Sequence, residues 1–231
     1  MANRAARILL HSIGAATMVY GYKGLSRLGD FDTWIRGQYG GHFQFLTIDG
    51  LFAGMLVMFT GLLLDLFPRT SKGSFIFESL TNFKRLLVMI ALPVAAVVAS
   101  VYWPLILVLP KLILTEDFTV EPTSKGDVAT PFRIPLDIDL SLHGFPGPLL
   151  VLDFLLFEKK FSQETMQKYA PLLALCIGTT YAMWAEYCAT KNNYFPYPFL
   201  TFSSLPIRVV IYATCTTFSV FVFRALNWLH Q

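Results

Sequence analysis

The apolar positions of this chain gather into long blocks, and most of the charges fall between them. About 20 consecutive apolar residues cross a bilayer as a helix. The blocks therefore predict about six spans, at residues 8–22, 43–66, 86–109, 138–157, 168–188 and 204–228, with five as the alternative count. The third is the clearest: Leu86 to Pro110 carries no charge, and Pro93 and Pro104 predict kinks within it. The second is interrupted by Asp49 and ends at Asp65, and the fourth contains His143, Pro146, Pro148 and Asp153. Lys168 and Glu186 lie near the ends of the fifth, and Arg208 and Arg224 near the ends of the sixth, where long side chains can snorkel. The first run is short. Preceded by Arg4 and Arg7, it also resembles a signal peptide, but no small-residue cleavage site follows through Tyr20-Gly21-Tyr22, which favours a retained helix.

Between the third and fourth spans, residues 111–137 hold Glu116, Asp117, Glu121 and Asp127 among Pro122, Gly126, Pro131 and Pro135. This pattern predicts one extended connection, either plainly solvated or covering the mouth of a cavity. The basic, aromatic-flanked stretch 68–84 is predicted as a loop at headgroup level. No internal repeat is visible, which argues against an inverted-repeat transporter.

Composition turns these blocks into a class. Hydrophobic residues make up 55% of the chain and charged residues 14%, against about a quarter charged in soluble domains. The expected fold is all-α: a multi-pass transmembrane helical bundle forming one domain over residues 1–231. With six spans the termini share a side that carries ten of the Lys and Arg residues against eight on the other, which favours cytoplasmic termini. The net charge of +3 is spread over short loops, with no arginine-rich run or stacking platform for nucleic acid. Cys176, Cys188 and Cys215 stand alone without a C-x-x-C spacing, so neither a metal site nor a disulfide is expected. His11 and His143 could be imagined as paired haem ligands, but the chain has only four histidines, and no cofactor is expected.

Polar groups inside spans are costly and usually face a bundle interior. The candidates are His11, Thr47, Asp49, His143, Asp153 and Glu186. Gly50, Gly54 and Gly61 follow Thr47 on the same helical stripe, and small residues at that spacing admit a neighbouring helix. The stripe should point inward and carry the Thr47 hydroxyl with it; alternatively, the hydroxyl bonds its own helix at the i−4 carbonyl. Around His143, Pro146 and Pro148 remove backbone donors and predict an irregular helix, tolerated at membrane depth only against protein or a wet cavity. A neutral imidazole there could act as general base. Asp49 lies about 200° around the helix from Thr47. It could orient His143 only through helix packing, and Asp153 and Glu186 are alternative orienting carboxylates or simply structural ones.

Three ordered motifs carry a resemblance. Tyr39-Gly40-Gly41 followed by Phe45-Leu46-Thr47 and an apolar helix is the first. His143 with Pro148 and Asp153 at +5 and +10 is the second, and Trp184 thirteen residues before Tyr197-Pro198-Phe199-Leu200 is the third. Together they resemble the androgen-induced gene family of membrane threonine hydrolases, related to the androgen-dependent regulator of tissue-factor-pathway inhibitor, and in particular its fungal-type members. The resemblance implies a hydrolase of fatty-acid esters of hydroxy fatty acids, with Thr47 as nucleophile and His143 as its base, acting on a lipid substrate in the endoplasmic reticulum membrane. Glu186 at an apolar-type position and the long acidic connection at 111–137 depart from the family pattern, and residues between Thr47 and His143 match it only in hydropathy. The rival readings are a non-enzymatic lipid-binding or scaffold protein and, less favoured, a small transporter.

Overall fold

The computed structural model of the chain describes residues 3–68, 73–114, 119–120 and 130–230. It is a multi-pass helical membrane bundle. Helix α1 (Arg4–Gly24) is capped by the Asn3 side chain and followed by the short α2 (Asp30–Gly37). A 3-10 turn, Gly41–Gln44, then leads into α3 (Leu46–Leu66). Next comes α4 (Phe75–Val108), and then a two-residue antiparallel ladder of β1 (Thr119–Val120) with β2 (Thr130–Pro131). One composite helix follows, in which α5 (Leu136–Asp139) passes through a π turn at Leu140–Gly144 into α6 (Pro146–Phe157). The chain closes with α7 (Ala170–Asn192), the single turn α8 (Pro198–Thr201) and α9 (Leu205–Leu229).

Helices α3, α4, α9 and the composite Leu136–Phe157 are long and apolar enough to cross a membrane. Helices α1 and α7, with 21 and 23 residues, have the length but not the hydropathy. The physical reason in α1 is its inward polar group, His11, which is fully buried. The core lies among α1, α3, α4 and α6, around Met18, Met58, Leu92 and Leu150. Helices α7 and α9 flank it and present Leu172, Leu175, Val210 and Phe221 outward, as lipid-facing helices do.

Two expectations need correction. The stretch 68–84 is not a loop throughout: Ser74 caps a helix that begins at Phe75, eleven residues before the predicted span. Lys84 therefore lies inside α4 and is buried, bonded to Asp153 and Glu158 at 2.8 Å each. Nor do Arg208 and Arg224 simply snorkel. Arg208 forms a two-pronged pair with Glu186, at 2.7 and 2.8 Å, and Arg224 donates to the Met166 carbonyl at 3.1 Å.

At the end of the bundle where α1 begins and α3 finishes, charges replace packing. His11 Nδ1 lies 2.6 Å from Asp65 and its Nε2 2.8 Å from Asp153. Arg7 also pairs with Asp65, and Arg85 with Glu158 at 3.3 Å. Both His11 nitrogens face carboxylates, which only accept, so the arrangement is satisfied when both carry protons. The network joins α1, α3, α4 and the end of α6.

The glycine stripe faces inward as predicted. A Cβ on Gly50 would meet Val94 of α4, one on Gly54 would meet Met18 of α1, and one on Gly61 would lie 2.5 Å from His11 Nε2. Gly61→Ala is accordingly expected to cost about 1–3 kcal/mol by overpacking. Thermal unfolding in detergent checks this, and a melting temperature equal to wild type would count against the close approach.

Candidate active site

Thr47 is the second residue of α3, so it lies at a helix end rather than at mid-membrane depth. The chain reaches it through Gly40 and Gly41, whose φ values of 87° and 49° belong to the left-handed region that favours glycine. At Gly40 there is also no space for a side chain, since a Cβ would lie 2.8 Å from Cys188 Sγ. The first turn of α3 has no side-chain cap on its own strand of sequence. Instead two phenols fill the helix end: the Tyr197 hydroxyl interacts with the Thr47 side chain and backbone, and the Tyr181 hydroxyl with the Leu46 backbone. Tyr181 also donates to the Gln44 carbonyl at 3.2 Å. The carbonyl four residues before Thr47, that of Phe43, lies outside α3 and accepts from the Trp184 indole at 2.8 Å. The third sequence motif thus packs against the first.

His143 lies in the π turn, where Phe145 N–H bonds the Leu140 carbonyl at 2.8 Å, five residues back. This is the irregularity expected from Pro146 and Pro148, and π turns recur at functional sites. Three contacts fix the residue. Its Nδ1 lies 2.7 Å from Asp139 Oδ1, its ring stacks on Tyr102 with centroids 3.5 Å apart, and its carbonyl accepts from Trp103 at 3.2 Å. A carboxylate can only accept, so Nδ1 carries the proton and Nε2 presents its lone pair. Among the described residues no hydrogen-bond partner reaches Nε2.

Thr47 and His143 line one cavity of about 550 Å³. Both are nearly buried, at 8% and 7% exposure, and no hydrogen bond joins them directly. Lys111, Ile113 and Phe132, from the two described ends of the long connection, line the same space, so both of those ends border the cavity. The remaining candidates lie elsewhere. His11 and Asp153 belong to the charge network, and Glu186 holds Arg208 and accepts from Tyr212 at 3.3 Å. Asp49 lies near Cys188 and Tyr197. None of these carboxylates orients His143. Asp139 does, and its signal in the sequence was a spacing of four residues, which places two helical side chains on one face. A second histidine, His42, also borders the cavity and pairs with Asp32 at 2.7 Å, with Arg36 on the same carboxylate at 2.8 Å. It was not among the candidates named from the sequence.

Comparison with known proteins gives a consistent result. A family profile described as FAR-17a/AIG1-like protein matches residues 6–231. A UPF0641 membrane protein of Schizosaccharomyces pombe is 26% identical over 222 residues, covering 96% of this chain and 89% of the relative. A UPF0641 membrane protein of Saccharomyces cerevisiae is 27% identical over 181 residues, covering 77% of this chain and 72% of the relative. No solved structure matches. With the profile spanning nearly its whole length, the chain belongs to the FAR-17a/AIG1-like family of membrane proteins.

Proposed function

We propose that the protein is an intramembrane hydrolase of lipid esters, such as fatty-acid esters of hydroxy fatty acids, with Thr47 as nucleophile and His143 as base. The observation that carries this reading is the cavity shared by the Thr47 hydroxyl and an imidazole already oriented by Asp139. A threonine hydroxyl is a weak nucleophile and needs a base to take its proton. In this mechanism Thr47 Oγ1 attacks the ester carbonyl and its proton passes to His143 Nε2. Apo geometry of this kind commonly tightens when substrate binds. The tetrahedral intermediate collapses by breaking the bond to the alcohol oxygen, which takes the proton from Nε2. Water then attacks the acyl-threonine and gives a proton to Nε2; as the bond from the acyl carbon to Oγ1 breaks, Nε2 returns that proton to Oγ1, which releases the fatty acid and restores Thr47 and neutral His143. Asp139 holds the tautomer and steadies the imidazolium. The Tyr197 hydroxyl, which contacts Thr47, is assigned in this mechanism as a donor to the developing oxyanion.

The same reading sets the membrane context. Helices α1 and α7 complete six spans, since α1 buries His11 inside the bundle and α7 has the required length. The termini are cytoplasmic, the organelle is the endoplasmic reticulum, and the cavity lies toward the opposite face. An acylating probe is expected to label the purified wild type and to leave Thr47→Ala unlabelled; labelling retained in that variant would overturn the reading. A lipid-binding protein without turnover is the second reading. The missing direct hydrogen bond between Thr47 and His143 favours it, and a wild type that no acylating probe labels would support it.

A further inference from the structure

Thr47 borders a second space as well. A narrow cavity of about 120 Å³ runs between α4, α7 and α9, and its walls include Pro93 and Val98, Ala174 and Ile177, and Val220. Along α4 it extends from Met89 to Tyr102, about 20 Å at 1.5 Å per residue. A volume of that size holds roughly ten water-sized spheres. Spread over that length, the space is one chain wide. Thr47, Tyr102, Ile113 and Tyr197 line both cavities, whereas His143 and His42 line only the larger one.

Resting on the hydrolase reading, we infer that the narrow cavity is the acyl subsite: it takes the single unbranched hydrocarbon chain of the acid half of the ester, and the larger cavity takes the alcohol half. The direction follows from proton transfer. His143 must return its proton to the departing alcohol oxygen, so that half lies on the His143 side, and the acyl chain extends from the Thr47 carbonyl into the space His143 does not reach. The linings agree with this. The narrow cavity is walled mainly by aliphatic and aromatic side chains and has no charged residue in its lining, whereas the larger one carries Lys111 and His42, which pairs with Asp32. Gly178 belongs to the same design, for a Cβ there would strike the Thr216 side chain and force α7 away from α9. The expected selectivity is therefore asymmetric, strict for the width and length of the acyl chain and tolerant of bulk in the alcohol.

The test uses the full-length protein in detergent and p-nitrophenyl esters from butyryl to stearoyl. Ala174→Phe and Val220→Phe, placed on opposite walls, are each expected to lower kcat/KM for the stearoyl ester by about tenfold or more while leaving the butyryl ester within about twofold. Equal losses on both esters in both variants would overturn the assignment. A photoreactive fatty acid with its diazirine at the chain end gives a readout independent of turnover. Adducts on α7 and α9 residues of the narrow cavity, lost in Ala174→Phe, support the subsite even if the wild type cleaves no ester, in which case only the hydrolase reading fails. Adducts confined to the larger cavity, or none at all, overturn the subsite.

Discussion

Alanine at Thr47 or at His143 is expected to lower ester cleavage on the order of 10⁴-fold or more, with helix content and membrane insertion unchanged. The double variant should be no worse than either single one, because nucleophile and base act as a unit. Asp139→Asn keeps the shape of the residue but no longer fixes the imidazole tautomer through Nδ1, and a loss on the order of 10³–10⁴-fold is expected. Asp139 does not touch substrate, so a positioning role needs a separate readout: the acid limb of the pH–rate profile moves in Asp139→Asn, whereas a merely structural defect lowers the plateau alone. Tyr197→Phe should cost about 10²–10³-fold, the usual effect of removing one oxyanion donor. The checks are initial-rate kinetics and circular dichroism on purified variants. Full activity in either alanine variant would end the mechanism.

The second large effect is on stability. Lys84 is 1% exposed and lies between Asp153, itself fully buried, and Glu158. Lys84→Met removes the cation that bridges the two carboxylates, leaving Asp153 with His11 alone and Glu158 with Arg85 alone, and breaking a buried pair from one side costs about 3–5 kcal/mol. The expected result is a large fall in melting temperature, or loss of the monodisperse species in detergent. Asp153→Asn introduced into the Lys84→Met protein should recover part of the loss, because it removes the fully buried charge that has lost its lysine while the amide oxygen can still accept from His11. A single variant that melts with wild type would show the network to be ornamental.

The bundle was legible wherever one physical term dominated. Apolar runs near 20 residues with few charges became α3, α9 and the composite helix, because nothing else satisfies backbone groups in lipid. The start of α4 was misread because Lys84 and Arg85 look like the end of a loop. Their carboxylate partners are 69 to 74 residues away in sequence, and no local pattern announces them. Of the two readings of Asp153, an orienting carboxylate or a structural one, the structure realises the second, since it pairs with His11 and Lys84. The inward turn of Thr47 could be read from three glycines, and the irregular backbone of His143 from two prolines. Asp139 was in plain view at helical spacing, but a carboxylate beside the acidic connection resembled the rest of that connection. Tyr197, His42 and the narrow cavity depend on packing among α3, α4, α7 and α9, which hydropathy does not specify.

The buried charge network also has a consequence for the order in which the chain can be assembled during synthesis. Asp65 meets Arg7 and His11 as soon as α3 follows α1 into the membrane, so this part of the network can close early. Lys84 arrives soon after, yet its acidic partners Asp153 and Glu158 are not made until 69 and 74 residues later. During that interval an ammonium on a nascent helix has no counter-ion in the bundle, and lipid penalises it. The Lys84 part of the network can therefore close only once α6 has been made, and a chain cut short before Asp153 is expected to carry Lys84 without either of its carboxylate partners.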